Sequence, residues 1–251
     1  MVKFEIRRLA PLDYQTKEAV NTLCTNLSFA GGDIKRIMLT SCHPQEGKSF
    51  VSMQLMRGFS ELGMRVVLVD ADIRASKLQW AYDIQISGAN SGNYPGLTRC
   101  LAGRASIDDV LGSTNIPGAW MILSGRTVNN SLPLFNTPRL KDILEKLSAQ
   151  FDIVLVDAPP VGTIIDAARI ATACDGTLFV VKSGDVPHAH LVNALYQIEK
   201  AGCPILGTVL NQFDDRMHRD KYYYYSNGYY SRSGSDRKRA RILGASKHRR
   251  D

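Results

Sequence analysis

The stretch Cys42-His43-Pro44-Gln45-Glu46-Gly47-Lys48-Ser49 constrains this chain more than any other, because it joins an apolar run, Ile37-Met38-Leu39, to a helix-like segment from Phe50 to Leu62. Where a strand turns on a glycine into a helix, backbone N–H groups and the helix N-terminus can surround a polyphosphate. In such a phosphate loop the lysine, here Lys48, reaches the β/γ oxygens and the hydroxyl, here Ser49, ligates Mg²⁺. The nucleotide-binding candidates are therefore Pro44, Gln45, Glu46, Gly47, Lys48, Ser49 and Phe50. Only Gly47-Lys48-Ser49 matches G-x-x-x-x-G-K-[ST] strictly, since Cys42 holds the first glycine position. An ordinary strand-to-helix turn is the competing reading, and the motifs downstream decide between the two.

Two further apolar runs end in acids. Val66-Val67-Leu68-Val69 leads into Asp70-Ala71-Asp72-Ile73-Arg74, and Ile153-Val154-Leu155-Val156 into Asp157-Ala158-Pro159-Pro160. In open α/β sheets, ligands bind outside the carboxyl ends of the strands. Side chains at i and i+2 of an extended chain share a face, so Asp70 and Asp72 are expected to look together at one Mg²⁺–phosphate cluster. Asp157 fits the Walker-B position that supports the ion, and the two prolines stop the strand and stiffen the loop after it. Solvated acids at strand ends are the bland alternative. Asp166 reads equally as a hydrogen-bonding partner in this region and as a helix N-terminal acid.

Strand-like runs lie at Arg36–Thr40, Val66–Val69, Trp120–Leu123, Ile153–Val156, Thr177–Val181 and Ile205–Leu210. Helix-like stretches lie at Tyr14–Phe29, Phe50–Leu62, Pro138–Ala149, Ile164–Ala173 and Pro187–Ala201. Strands apolar throughout and alternating with helices predict an α/β chain of the P-loop NTPase kind, a mainly parallel sheet with helices on both faces. The turn-rich segments Ser87–Pro95 and Gly125–Asn136 read as surface loops near the site. With 251 residues and 44% hydrophobic content the chain can bury one sizeable core, placed at residues 1–213. Its five cysteines are scattered and form no C-x-x-C pair, which predicts reduced thiols and neither a disulfide framework nor a zinc site. No window approaches the roughly 20 apolar residues of a spanning helix, so a cytoplasmic chain is expected.

Charge sets the end of the chain apart. Residues 214–251 hold 11 Lys/Arg against 5 Asp, which is +6 of the chain's +7, and six of its ten tyrosines fall within residues 222–230. This segment is read as a disordered, tyrosine-rich basic tail. Basic, aromatic-interleaved segments also bind nucleic acid, but no recognition module accompanies this one, and no specific nucleic-acid partner is expected.

Together, Asp70-x-Asp72-x-Arg74, Asp157-Ala158-Pro159-Pro160 and the cluster Tyr222-Tyr223-Tyr224-Tyr225-Ser226-Asn227-Gly228-Tyr229-Tyr230 give a chain that resembles, from about Glu18 to Tyr230, the bacterial tyrosine kinases of capsule and exopolysaccharide assembly, in their free-standing cytoplasmic form. The resemblance implies ATP- and Mg²⁺-dependent autophosphorylation, with Tyr222, Tyr223, Tyr224, Tyr225, Tyr229 and Tyr230 as acceptors presented to a neighbouring subunit. Lys48 would bind and polarise the phosphates, Ser49, Asp70 and Asp157 would hold the metal, Asp72 would be the base, and Arg74 would contribute positioning or charge stabilisation. It further implies a separate transmembrane activator or polysaccharide co-polymerase, recruitment to the inner membrane face, and a tyrosine phosphatase.

The chain departs from that family's pattern in three places. Of the first helix's E-x-x-R-x-x-R only Glu18 remains, with Asn21 and Cys24 in the places of the arginines that join subunits into a ring; Gln45 stands where a loop glycine is usual; and Asn129-Asn130-Ser131-Leu132-Pro133-Leu134 echoes only loosely the family's Asn-Pro-Ser-Glu-Leu-Leu. Two alternative readings are an ATPase switch of the partitioning and site-selection kind and a nucleotide-binding, non-catalytic adaptor of polysaccharide assembly. The switch proteins carry a second loop lysine where this chain has His43, and a tyrosine tail has no role in them. Retention of Lys48, Ser49, Asp70, Asp72 and Asp157 speaks against the adaptor.

Overall fold

The computed structural model describes residues 1–88, 91–162 and 166–213. The six clustered tyrosines and the basic runs beyond them lie outside the described residues, and Met1–Gln212 is one compact unit. Its strands are β1 (Val2–Ile6), β2 (Arg36–Ser41), β3 (Val66–Asp70), β4 (Ile84–Gly88), β5 (Gly112–Thr114), β6 (Ala119–Ile122), β7 (Ile153–Asp157), β8 (Gly176–Lys182) and β9 (Ile205–Asn211). Its helices are α1 (Tyr14–Ser28), α2 (Lys48–Glu61), α3 (Leu78–Ala81), α4 (Gly96–Leu101), α5 (Leu132–Phe135), α6 (Arg139–Ser148), α7 (Asp166–Ala171) and α8 (His188–Lys200).

All six strands expected from the apolar runs are present, and they form a contiguous parallel block, β6-β3-β7-β2-β8-β9. Three strands were not expected. They extend the sheet on the β6 side as β4-β1-β5, with antiparallel pairing at β4/β1 and β5/β6. In β1 the pattern is alternating, Val2, Phe4 and Ile6 buried and Lys3 and Glu5 exposed, as in a strand with one solvated face. A reading tuned to uninterrupted apolar runs passes over that period. β5, at three residues, is too short to carry any pattern.

The central strands bury both faces. Val67, Val69, Val154 and Val156 point into one apolar cluster, while Val66, Leu68, Ile153 and Leu155 point into the other. The first cluster is roofed by α4, α6, α7 and α8, where Leu140, Ile143, Leu144 and Leu147 supply the i, i+3, i+4, i+7 stripe of α6. The second is roofed by α1 and α2 through Cys24, Leu27, Met56 and Phe59. Each fully buried Leu or Val contributes about 1.5–3 kcal/mol, so this two-sided core is what fixes the strand ends in place.

Two segments read as surface loops are corrected. Ser87–Pro95 begins inside β4 and contains a 3₁₀ turn at Ser91–Asn93, and Tyr94 is held inward, its hydroxyl donating to the Val110 carbonyl (2.8 Å) and accepting from the Leu123 N–H (3.1 Å). Gly125–Asn136 contains α5, which buries Phe135. Of the helix expected at Ile164–Ala173, the first two residues lie outside the described residues and the remainder supplies α7.

Candidate active site

The loop at residues 42–47 leaves β2 and enters α2 at Lys48, with Gly47 at its N-cap in the left-handed region, φ +89°. A side chain there would be strained at that φ and would displace the Asn211 amide, whose Nδ2 lies 1.9 Å from an ideal Cβ on Gly47. Gln45 also adopts a positive φ, +68°, without being glycine. The loop is tied down on three sides. Buried Glu46 accepts the His43 N–H on Oε2 (3.2 Å), the Glu46 carbonyl accepts from the Asn211 amide (2.9 Å), and the Ser41 hydroxyl donates to the His43 carbonyl (2.8 Å). His43 in turn lies 3.1 Å, Nε2 to Nδ1, from His190 in the first turn of α8. The Cys42 thiol is fully buried and is pushed up to about 11, mainly by burial and also by Glu46, so it fills the position of a small residue and not that of a reactive thiolate.

The carboxyl ends of β3 and β7 are neighbours, and their register pairs Asp70 with Asp157. Both carboxylates are almost wholly buried. Asp70 Oδ2 accepts from the Ser76 hydroxyl and, at 3.3 Å, from the Ser124 N–H. Burial first, and then the charge on Asp157, pushes Asp70 up to about 7. Asp157 is likewise raised by burial, with Lys48 and the Ser49 hydroxyl acting in the opposite direction. Lys48, Ser49, Asp70 and Asp157 are therefore brought to one point.

Asp70 Oδ1 and Asp157 Oδ1 have no hydrogen-bond partner among the described residues. Orphaned carboxylate oxygens beside a serine hydroxyl and a lysine fit a hard cation. Among the described residues no group of three or more His, Cys, Asp or Glu could hold a metal unaided. Mg²⁺ takes one or two carboxylates and completes its shell with waters and substrate phosphates.

Asp72 and Arg74 are placed otherwise than expected. β3 stops at Asp70, so the i, i+2 argument fails, and Asp72 sits half-buried in a turn where its Oδ1 accepts the Ala75 N–H (3.0 Å) and its carbonyl the Ser76 N–H (3.0 Å). It still lies close enough to raise Asp157. Arg74 runs to the 125–131 loop: Nη2 donates to the Asn129 carbonyl (2.6 Å) and Nη1 lies 4.0 Å from Asp166 Oδ2, which also accepts the Ser131 hydroxyl. Both readings of Asp166 hold, since it opens α7 as the acid of the first turn and also accepts the Ser131 hydroxyl.

Asn211, Ser76, Ser124 and His190 are the residues that sequence reasoning missed. For Asn211 a signal existed, because it ends an apolar strand just as Asp70 and Asp157 do. Ser124 and His190 act through contacts 54 and 147 residues distant in the chain, and Ser76 through the turn that follows β3.

An AAA domain family model matches residues 35–200. The tyrosine-protein kinase CpsD of Streptococcus agalactiae is 32% identical over 203 residues, covering 81% of this chain and 86% of that protein. Among solved structures, the BceF tyrosine kinase domain superposes with a TM-score of 0.69 at 29% identity, covering 78% of this chain and 76% of that one. The kinase domain of the Escherichia coli tyrosine kinase ETK gives 0.70 at 27%, covering 79% and 77%. The family model spans the loop and both acidic strand ends, and the chain belongs to the bacterial tyrosine kinases.

Proposed function

We propose that this chain is an ATP-dependent protein-tyrosine autokinase that phosphorylates its own C-terminal cluster, Tyr222 to Tyr230, and thereby regulates capsular or exopolysaccharide synthesis and export. The observation that carries the reading is the pair of buried, partnerless carboxylate oxygens on Asp70 and Asp157 beside Lys48 and Ser49. Ser49, Asp70 and Asp157 would hold Mg²⁺, and that ion, when bound, neutralises phosphate charge. The loop from Pro44 to Phe50 wraps the polyphosphate with backbone N–H groups, and Lys48 fixes the transferable end. Asp72, half-exposed at the mouth, accepts the proton of the incoming tyrosine hydroxyl. Arg74 meets the charge that develops as the phosphoryl group passes. Phosphoryl transfer asks the protein mostly for positioning and electrostatics, and each of these groups supplies one or the other.

The His43–His190 contact favours the kinase over a partitioning-type switch, because the residue at the second-lysine position is turned to α8. Incubation of the purified chain with Mg-ATP, followed by mass spectrometry of the tail, tests the reading. Wild type is expected to gain phosphotyrosine and Lys48→Met to gain none; an unmodified wild-type tail overturns it.

The acceptor site belongs to a neighbour on this reading. From Asn211 to Tyr222 is 11 residues, at most about 36 Å when extended. A Lys48→Met chain that keeps its tyrosines, mixed with an active chain lacking them, should become phosphorylated. No helix among the described residues is long and apolar enough to cross a membrane. A separate membrane protein of the polysaccharide machinery, recruiting the chain to the inner membrane face and raising its rate, completes the proposal, with a tyrosine phosphatase resetting the tail.

A further inference from the structure

Asp166 has an environment that a helix N-terminal acid does not need. Its side chain is 1% exposed and Ser131, which donates to its Oδ2, is fully buried. Its Oδ1 has no hydrogen-bond partner among the described residues. A carboxylate buried with so little hydrogen bonding is stabilised by a nearby cation, and Arg74 stands 4.0 Å away with a side chain still 34% exposed. On its other branch the same guanidinium donates to the Asn129 carbonyl. Arg74 is thus drawn down onto a buried charge and a backbone acceptor while one edge stays open to solvent. Holding a long side chain in one orientation before the substrate arrives removes an ordering cost from the reaction.

We propose that Asp166, fixed by Ser131, is a positioning residue that holds the Arg74 guanidinium ready at the edge of the nucleotide site, joining the segment after β3, the loop before α5 and the start of α7. The inference rests on the kinase reading above. Asp166→Asn is close to isosteric and its amide oxygen can still accept the Ser131 hydroxyl, so the change removes the charge and little else.

The test is a double-mutant cycle of Asp166→Asn with Arg74→Ala on the full chain, read by initial rate of tail phosphorylation at saturating Mg-ATP, by nucleotide affinity, and by NMR order of the Arg74 Nε–H. Asp166→Asn should slow transfer about 10-fold or more with nucleotide affinity within about 2-fold. In the Arg74→Ala background it should change the rate by less than about 2-fold. The Arg74 Nε–H should become more mobile in Asp166→Asn. Equal losses in both backgrounds, or an Arg74 signal that does not change, would mean that Asp166 only supports the fold and would overturn the proposal. A wild type that never phosphorylates its tail, with Arg74 nevertheless loosened by Asp166→Asn, would sink the kinase reading and leave the positioning contact. Should Asp166→Asn not fold, Ser131→Ala carries the same cycle, since it frees the carboxylate and leaves both charges in place.

Discussion

Asp70 and Gln45 are the residues whose local chemistry works against their surroundings. With Asp70 pushed up to about 7 from 3.8, the folded chain binds a proton that the unfolded chain releases. The stability this proton contributes is fully present below about pH 4 and is lost as pH rises through about 7. Asp70→Asn stays neutral, so in the absence of divalent cation its melting temperature should gain on that of wild type from pH 5 to pH 8 by several degrees. A difference that does not vary with pH would show that the carboxyl group is ionised throughout. Mg-nucleotide should reverse the order, because the cation favours the charged carboxylate that the asparagine lacks. At Gln45 the left-handed backbone, φ +68°, costs a non-glycine residue roughly 1–2 kcal/mol. Gln45→Gly is expected to stabilise the chain by about 0.5–1 kcal/mol in urea unfolding, after glycine's larger unfolded-state entropy is set against it. A loss of stability would mean that the glutamine side chain itself braces the loop.

The two helices α1 and α2 change the meaning of a sequence departure. Asn21 and Cys24 both stand where the family pattern has ring-forming arginines, yet the structure separates them. Asn21 is half-exposed and takes a long contact from its amide to Glu18 (3.4 Å), whereas Cys24 is fully buried at the α1/α2 seam. A Cβ on Gly58 of α2 would come within 2.7 Å of Cys24 Sγ, so the helices meet at their smallest residues. The Cys24 thiol is pushed up to about 12 by burial and by Glu61, which leaves it inert. Cys24→Arg should therefore destabilise the chain by about 3 kcal/mol or more by burying an unpaired charge, and should build no new subunit contact. Chemical denaturation measures the first expectation and light scattering the second. A stable variant with a larger particle mass would place position 24 at an interface after all.

For the molecule as a whole, charge is concentrated where the tyrosines cluster. Residues 214–251 carry +6, and each phosphotyrosine adds about −1.5 to −2, so two or three phosphates bring the segment near neutrality and six reverse its sign. On the proposed reading, Arg237-Lys238-Arg239-Ala240-Arg241 and Lys247-His248-Arg249-Arg250 are expected, before modification, to be drawn to an anionic membrane face at about 1 kcal/mol per cation, within a Debye length. Binding to vesicles containing anionic lipid should weaken with salt and fall at least about tenfold on full phosphorylation. Equal binding of the two forms would remove the charge switch. Since Asn21 lacks the guanidinium of the family pattern and Cys24 is buried, small oligomers or monomers are expected at micromolar concentration.

Sequence alone determined the parallel block of the sheet and the nucleotide loop, because both are written in short stretches: uninterrupted Val/Ile/Leu runs that end in Asp70, Asp157 and the loop, and a Gly47-Lys48-Ser49 turn that those acidic strand ends make specific. It also carried the tyrosine cluster and the charge of the tail. What only the tertiary structure decided is everything that depends on register and long-range approach. The pairing of Asp70 with Asp157 is set by adjacent strands 87 residues apart in the chain. The clasp of Asn211 on the loop spans 165 residues, and the hold of Asp166 and Ser131 on Arg74 joins three separate segments. Contacts of this kind leave no periodicity in the chain, since a hydrogen bond between residues remote in sequence requires only that each polar group stand where packing of the two cores delivers it.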